Sequence, residues 1–139
     1  MTAASIQRFF QSYADAFSRS DIDDICEKWA YPAYFVANGH RASLAAPEFK
    51  KNTEALCQFY ALRGVARAEK EVIEISRLTG STISVRTADT LFDAAGDEIV
   101  AWEHVYLLSD TTDGPRVVAA MPDAELAAWR DRGTPLGSW

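Results

Sequence analysis

Apolar residues near the start of the chain recur three or four positions apart, which places them on one stripe of a helix. The stripe consists of Ile6, Phe9, Phe10, Tyr13 and Phe17. It predicts a helix that runs to about Ser18. Ser20 followed by Asp23 is typical of a helix start, so we expect a second, short helix that Pro32 ends.

A hairpin and a third helix follow in the pattern. Residues 34–37 are typical of a strand, Asn38-Gly39 is a strong signal for a two-residue turn, and residues 40–44 would form the returning strand. Pro47 fits the first turn of a third helix, which Gly64 would close.

The second half of the chain changes to strand-like segments, rich in β-branched and aromatic residues and separated by turn clusters. The predicted strands are Val72 to Leu78, Thr82 to Phe92, Ile99 to Leu108 and Val117 to Met121. Their short connections predict an antiparallel meander, and a last helix is expected over residues 124–132. We therefore expect one α+β domain spanning residues 1–139, with helices gathered on one face of the sheet.

Composition restricts the classes of partner. The chain has 139 residues of which 48% are hydrophobic, enough to fill a core, and it has no apolar run of the roughly 18 residues that a membrane span needs. The start of the chain does not resemble a secretion signal, so a cytoplasmic location is expected. The net charge of −6 argues against nucleic acid and anionic membranes as partners. The spacing of the two histidines and two cysteines predicts no metal site, and we expect no cofactor.

The segment from Tyr13 to Asp23, with the sequence YADAFSRSDID, resembles the start of the second helix in the nuclear transport factor 2-like superfamily. The order of predicted elements from about Ile6 to Met121 is similar to that superfamily as well. Its members include ketosteroid isomerases, scytalone dehydratase and SnoaL-like polyketide cyclases. The resemblance implies a cone-shaped, strongly curved antiparallel sheet with three N-terminal helices packed on its concave face, a short C-terminal helix, and an apolar pocket inside the cone.

Glu103 is the first candidate for chemistry in that pocket. Alternation along the predicted strand gives it apolar neighbours on its own face, and burial would raise the pKa of such a carboxyl group and keep it a neutral donor. The segment from Ala101 to Val105 resembles the ketosteroid isomerase strand that carries a protonated aspartic acid in the oxyanion hole, which implies the same role for Glu103. The alternative is a rim position or an ion pair with an arginine.

Tyr13 lies eight residues before Asp21, the position of the oxyanion-hole tyrosine in the isomerase pattern. A phenol there could donate a hydrogen bond to a substrate carbonyl, although an aromatic residue in the core would fit the same pattern. The isomerase base would lie sixteen residues after Asp21, where this chain has Ala37. His40 is the nearby candidate for a base, and exposure beside the turn is its alternative.

Asp89 is the remaining candidate, because it lies on an apolar-leaning face of its predicted strand. If Phe92 pairs with Glu98 in a regular hairpin, Asp89 lies opposite Ala101 and diagonal to Glu103, and two such carboxyl groups would titrate at separated pH values. A register slip of one residue would instead put the two acids on opposite faces.

The other face of the strand from Ile99 predicts an interface. Trp102, His104 and Tyr106 alternate there, and we expect Trp102, Tyr106 and Leu108 to form a homodimer contact on the convex side of the sheet. If the two faces of this strand are the other way round, His104 lies in the pocket instead. The pocket itself is expected to contain Phe9, Phe17, Trp29, Phe35, Tyr60 and Val105.

Two functions follow from these expectations. The first is a protein that binds an apolar small molecule in its pocket without turnover. The second is an isomerase-, dehydratase- or cyclase-like enzyme in which Tyr13 and Glu103 polarise a carbonyl while Asp89 or His40 moves a proton. The alanine at position 37 favours binding, because a methyl group cannot accept a proton.

Overall fold

The computed structural model describes residues 1–137, so the last two residues of the predicted 1–139 domain lie outside the described part. The α+β class is confirmed. The helices are α1 (Ala3–Ser18), α2 (Ile22–Glu27), α3 (Ala46–Leu62) and α4 (Asp123–Asp131). The strands are β1 (Trp29–Ala37), β2 (His40–Leu44), β3 (Arg67–Arg77), β4 (Thr82–Phe92), β5 (Glu98–Thr111) and β6 (Gly114–Met121).

The six strands form one curved sheet in the order β2-β1-β6-β5-β4-β3. The predicted meander from β3 to β6 is antiparallel throughout, as is the β1–β2 hairpin. β1 pairs with β6 in parallel, which joins the N-terminal hairpin to the last strand. Helix α1 packs against β3, α3 against β1 and α4 against β5, so the helices cover one face of the sheet, which we call the inner face.

Local sequence signals explain the ends of the first elements. Thr2 and Ser5 form a capping box at the start of α1, and the side chain of Asp21 accepts a hydrogen bond from the backbone N–H of Asp24 at the start of α2. The predicted turn between β1 and β2 is confirmed, because Asn38 and Gly39 have φ values of 52° and 79° and their neighbours pair directly.

The second helix is shorter than the sequence pattern predicts. It ends at Glu27, and Trp29 begins β1 instead of continuing the helix. Pro32 lies inside β1 after a cis peptide bond with Tyr31, so this proline does not mark the helix end. Trp29 is nevertheless buried and lies in the wall of the interior cavity, where we expected it.

A β-bulge in β5 changes the predicted register with β4. Phe92 pairs with Glu98 as expected, but Leu91 pairs with Val100, which leaves Ile99 as an extra residue. The bulge allows two consecutive apolar residues, Ile99 and Val100, to be buried in the cluster around Trp129. Arg132 fixes the same point by donating a hydrogen bond of 2.6 Å to the carbonyl oxygen of Ile99.

The bulge also exchanges the two faces of β5 relative to our prediction. Asp89 pairs with Trp102 rather than Ala101, and Thr87 pairs with His104. The side chains of Trp102, His104 and Tyr106 therefore face inward with Asp89. Glu103, which pairs with Ala88, lies on the outer face of the sheet.

The core is formed where the inner face meets the helices. Its largest fully buried side chains include Trp129 of α4, Phe10 and Ile6 of α1, and Ile25 of α2. Within residues 1–137, no helix has the length and apolar character required to cross a bilayer. The cytoplasmic location stays a prediction.

Candidate functional site

The inner face of the sheet and the helices α1, α3 and α4 surround a cavity of about 180 Å³. Nine aromatic residues line it, together with aliphatic side chains: Tyr13, Phe17, Trp29, Phe35, Phe49, Phe59, Tyr60, Trp102 and Tyr106. Polar side chains interrupt this wall at Asn52, Thr53, Glu69, Lys70, Asp89, His104 and Glu125. An apolar cavity with a few convergent polar groups is the usual form of a small-molecule site.

Three residues of the cavity wall and the buried Thr87 behind them form a group that we call the lysine cluster: Lys70, Thr87, Asp89 and Tyr106. The Lys70 ammonium group lies 2.6 Å from Asp89 Oδ2 and donates a 2.7 Å hydrogen bond to the Tyr106 hydroxyl oxygen. The Thr87 hydroxyl donates to Asp89 Oδ1 at 2.5 Å. Both carboxylate oxygens of Asp89 are therefore engaged within the protein.

The lysine cluster carries a charged pair despite its burial. Burial by itself would lower the pKa of Lys70, but the charge and hydrogen bond of Asp89, together with Tyr13 and Glu125, outweigh that effect and the pKa is raised. Burial, and then the charge of Asp89, raises the pKa of Tyr106 well above its ordinary value. Lys70 is thus a cation at every physiological pH and Tyr106 remains a neutral phenol.

His104 lies beside this cluster with one ring nitrogen engaged. The indole N–H of Trp102 donates a 3.0 Å hydrogen bond to His104 Nδ1, and the His104 ring stacks on Tyr106 with 4.4 Å between ring centres. Burial, reinforced by the charge of Lys70, lowers the pKa of His104 to about 3. The imidazole is therefore neutral with its proton on Nε2, and no acceptor within residues 1–137 contacts that nitrogen.

Glu125 enters the cavity from α4 and is 5% exposed. Its Oε2 atom accepts hydrogen bonds from the Tyr60 hydroxyl group and, at 3.3 Å, from the Trp129 indole N–H. Burial raises the pKa of Glu125 to about 7, although donation from Tyr60 and the charge of Lys70 act in the opposite direction. Both protonation states of Glu125 are therefore populated near neutral pH.

Both ends of α4 are fixed, which determines where Glu125 lies. At the start of the helix, the backbone N–H of Asn38 donates a 2.9 Å hydrogen bond to Asp123 Oδ2. At its end, Arg132 bonds to the bulged residue Ile99. Trp129 is fully buried four residues after Glu125, so the two side chains share the inward face of the helix.

Tyr13 contributes a phenol at the α1 side of the cavity. Its hydroxyl oxygen accepts a 2.8 Å hydrogen bond from the Trp29 indole N–H, and its ring stacks on Phe17. Burial, followed by the nearby Tyr106, raises the pKa of Tyr13, so the hydroxyl group keeps its proton. It is therefore a neutral group at physiological pH.

The family model described as "NTF2-like protein (DUF6841)" matches residues 3–125. The chain belongs to this NTF2-like family. Among solved structures, an NTF-2 like protein of unknown function from Shewanella oneidensis is similar with a TM-score of 0.69 and 14% identity, covering 87% of this chain and 98% of that one. No curated protein matches the chain.

Two further structures extend the comparison. A domain of unknown function with a cystatin-like fold from Nostoc punctiforme has a TM-score of 0.68 and 15% identity over 87% of this chain and 77% of that one. A ketosteroid isomerase-like protein from Erwinia carotovora atroseptica has a TM-score of 0.61 and 19% identity over 85% and 92% of the two chains. At these identities the likeness shows the fold that this NTF2-like protein shares with them.

The NTF2-like protein brings two of the four predicted catalytic residues to the cavity. Tyr13 and Asp89 line it, as expected. Glu103 does not, and that predicted location is wrong: its side chain is 57% exposed on the outer face, with an oxygen 3.7 Å from Arg86. His40 is exposed on β2 beside the turn. The catalytic roles of all four stay predictions.

The predicted pocket wall is partly correct. Phe17, Trp29, Phe35 and Tyr60 line the cavity. Phe9 instead packs against Phe10 and Tyr13 within the α1 stripe. Val105 pairs with Arg86 and Met121 on the outer face, because the bulge reverses the sides of β5.

The predicted dimer contact has to be corrected for the same reason. Tyr106 and Leu108 are buried on the inner face, and Trp102 lines the cavity. These three residues cannot form an apolar patch on the outside of the sheet. His104, which we assigned to that patch, lines the cavity as well.

Two polar residues of the site were missed in the sequence. Lys70 could have been found from pairing, because it lies directly opposite Asp89 on β3 and β4. Glu125 could have been found from its spacing to Trp129, since a tryptophan four residues along a helix marks the face that will be buried. Within residues 1–137, no group of three or more His, Cys, Asp or Glu residues could hold a metal ion.

Proposed function

We propose that this NTF2-like protein binds a small, largely apolar molecule in its cavity and holds an acceptor group of that molecule through His104 Nε2–H. One observation carries the proposal: a buried imidazole donor, 6% exposed, lines an aromatic cavity without an acceptor among residues 1–137. A donor that opens onto a low-dielectric cavity and has no acceptor among those residues is available to a ligand oxygen, and a hydrogen bond formed there is stronger than one in water.

The size and charge of the cavity restrict which ligands can bind. Cavities of about 150 Å³ with apolar walls bind benzene, so a cavity of about 180 Å³ has room for one ring with a small substituent. His104 is neutral and the Lys70 charge is matched by Asp89, which favours a neutral acceptor such as a carbonyl oxygen over an anion.

Acetophenone, which has one ring and one carbonyl group, is a suitable probe. We expect calorimetric titration to give a dissociation constant of roughly 1 mM or lower, with ethylbenzene binding more weakly because it lacks the carbonyl oxygen. His104→Phe keeps an aromatic ring and removes the donor, so it should weaken acetophenone about tenfold and leave ethylbenzene unchanged.

A variant that fills the cavity provides the control. Leu56 lines the cavity without being fully buried, and Leu56→Trp should abolish binding of both probes while circular dichroism stays that of the folded protein. Absence of acetophenone binding to the unmodified protein, or unchanged binding in the filled variant, would contradict the proposal.

A second candidate is an isomerase- or dehydratase-like enzyme, and the position of Glu125 favours it. A carboxyl group with a pKa of about 7 in a cavity that also contains His104 and Tyr13 could transfer a proton next to a polarised carbonyl. Glu103 and His40 lie too far to the outside for this role, and Asp89 is engaged by Lys70 and Thr87.

Proton transfer can be tested without the natural substrate. Incubation of acetophenone in D₂O should exchange its methyl protons faster with the protein than with the Glu125→Gln variant, as followed by proton NMR. Equal exchange rates would remove the enzyme candidate and leave the binding function in place.

We further infer that the protein forms a homodimer through the outer face of its sheet. The residues that support this are now Tyr34 and Val36 of β1, which are exposed apolar side chains on that face. Light scattering at micromolar concentration should give twice the chain mass, and Tyr34→Glu should reduce it. A monomer mass for the unmodified protein would contradict the inference.

A further inference from the structure

Glu125 has one carboxylate oxygen that the protein leaves without a donor. Oε2 accepts from Tyr60 and Trp129, whereas no donor among residues 1–137 contacts Oε1. The residue lines the cavity and is 5% exposed, so Oε1 can be reached from the cavity but hardly from bulk water. Buried carboxylate oxygens in proteins normally accept hydrogen bonds, which makes Oε1 an open position.

The groups around Glu125 come from every element that packs near it. Tyr60 faces it from α3 and Lys70 from β3, while Asp89 lies beyond Lys70 on β4. On β5 the neutral Tyr106 and His104 line the same cavity. Lys70 and Asp89 neutralise each other, and Glu69, which also lines the cavity, pairs with Arg67, so Glu125 is the carboxyl group of the wall that has no cationic partner among residues 1–137.

We propose that Glu125 Oε1 is a second anchor, which accepts a hydrogen bond from a hydroxyl or ammonium group of the ligand. This inference rests on the proposed binding function and adds to it. The ligand then carries a hydrogen-bond donor for Glu125 in addition to the acceptor for His104. Its binding is coupled to ionisation of Glu125.

The donors already present favour the ionised form as the bound form. The Trp129 indole can only donate, and Tyr60 donates to the same oxygen, so the surroundings of Oε2 are arranged for a carboxylate. A donor at Oε1 completes the set, and hydrogen bonds to a charged acceptor are stronger than those to a neutral one. The ligand therefore lowers the pKa of Glu125, and below about pH 7 binding releases a proton.

The opposite arrangement makes a different prediction. A protonated Glu125 could donate from Oε1 to a ligand acceptor, and affinity would then fall as the pH rises. A donor ligand gives affinity that increases with pH and becomes constant above the pKa of Glu125. The direction of the pH dependence therefore distinguishes the two arrangements.

Three one-ring probes test the proposal: toluene without a donor, benzyl alcohol with a neutral donor, and benzylamine with a cationic donor. With Glu125 titrating at about pH 7, its ionised fraction rises about tenfold from pH 6 to pH 8, so benzyl alcohol should bind up to about tenfold more tightly at pH 8. Toluene should change by less than about twofold. Tighter binding of benzylamine than of benzyl alcohol would identify an ammonium group as the preferred donor. Tighter binding of benzyl alcohol would identify a hydroxyl group as the preferred donor.

Variants assign the pH dependence to Glu125. Glu125→Gln should abolish it, and Tyr60→Phe should move its midpoint to higher pH because one donor to the carboxylate is lost. Glu103→Gln changes the same atoms on the outer face and should leave the profile of the unmodified protein. Circular dichroism establishes whether each variant is folded. If Glu125→Gln does not fold, Tyr60→Phe still tests the proposal.

The outcomes separate this inference from the binding function beneath it. The role of Glu125 Oε1 is refuted if toluene and benzyl alcohol bind equally at both pH values, or if the affinity for benzyl alcohol falls as the pH rises. The proposal that the cavity binds a ligand is not affected by either result. An unchanged pH profile in folded Glu125→Gln refutes the role of Oε1 as well. If none of the three probes, nor acetophenone, binds at millimolar concentration, both proposals fall.

Discussion

Two groups of buried polar side chains face the same cavity, and they differ in what each leaves unpaired. In the lysine cluster, the ammonium group of Lys70 is matched by Asp89, and Thr87 engages the second carboxylate oxygen. Glu125 and His104 each engage one of their two polar atoms and leave the other facing the cavity. A satisfied group stabilises the fold, whereas a half-satisfied group at a cavity wall is available to a ligand.

The two groups of polar side chains also differ in charge, and the more highly charged group is not the one that is available to a ligand. The lysine cluster holds two full charges in the interior, and both carboxylate oxygens of Asp89 already accept a hydrogen bond from a donor within the protein. His104 is neutral at physiological pH, and Glu125, with a pKa of about 7, is only partly ionised. The functional part of the wall is therefore the less charged one, and four substitutions should show the difference.

The largest effect is expected from breaking the charged pair. Asp89→Ala leaves Lys70 buried without its counter-ion, and removal of one partner from a buried pair costs about 3–5 kcal/mol of unfolding free energy. Urea denaturation measures this loss. The double variant Lys70→Met with Asp89→Leu removes both charges and should recover most of it, and a loss below about 1 kcal/mol in the single variant would mean that the pair is not structural.

The next effect concerns the pH dependence of Glu125. Its pKa is about 7 in the folded protein and 4.5 ordinarily, so the folded state holds the proton more tightly. The stabilisation is complete below about pH 4.5 and is lost as pH rises to about 7, a change of roughly 3 kcal/mol. Denaturant unfolding from pH 4 to pH 8 measures this change, as the unfolding free energy of the unmodified protein minus that of Glu125→Gln at each pH. A difference that does not vary with pH would refute the raised pKa.

A smaller effect is expected at His104. Trp102→Phe removes the donor to Nδ1, so the imidazole is free to move its proton between the two nitrogens. The unfolding free energy should fall by about 1 kcal/mol, near the net value of one hydrogen bond. Nitrogen-detected NMR should show the Nε2–H tautomer from pH 5 to pH 8 in the unmodified protein and a mixture in the variant. A mixture in both would contradict the assigned tautomer.

The smallest effect is expected at Glu103. Its ion pair with Arg86 is exposed and the two groups are 3.7 Å apart, so Glu103→Gln should change the unfolding free energy by less than about 0.5 kcal/mol. Binding of acetophenone should stay the same within error. A loss of affinity comparable to that of His104→Phe would show that Glu103 influences the cavity after all.

Sequence patterns predicted most of the elements, because local signals determine where these begin and end. The limits of β4 agree with its predicted range, and the Asn38-Gly39 turn agrees in type. These features depend on residues adjacent in sequence, such as the positive φ that a two-residue hairpin turn requires.

The site was harder to predict, since it depends on one residue of register between distant strands. The bulge at Ile99 reverses the facing of every residue after it in β5, and it exchanges Glu103 for His104 in the cavity. The consecutive pair Ile99-Val100 was the available signal, because strict alternation would leave one of two large apolar residues in water. The resemblance to the isomerase strand favoured Glu103 and concealed this conflict.

Glu125 illustrates a second limit of the sequence. An acidic residue in the first turn of a helix is usually explained by the helix dipole, and this explanation concealed the signal that the spacing of Glu125 to Trp129 offered. Its burial results from the two contacts that hold α4, one to Asn38 and one to Ile99, which join segments far apart in the chain.

The parallel pairing of β1 with β6 has a consequence for the order in which the chain can fold. Phe35 pairs with Ala120, so the β1–β2 hairpin lacks its neighbouring strand until β6 has also emerged from the ribosome. Contacts between such distant segments form late, because a long loop must close first. A ribosome-bound chain that stops before residue 114 should therefore be digested by protease across residues 29–44. One that includes β6 and a C-terminal spacer should be protected there.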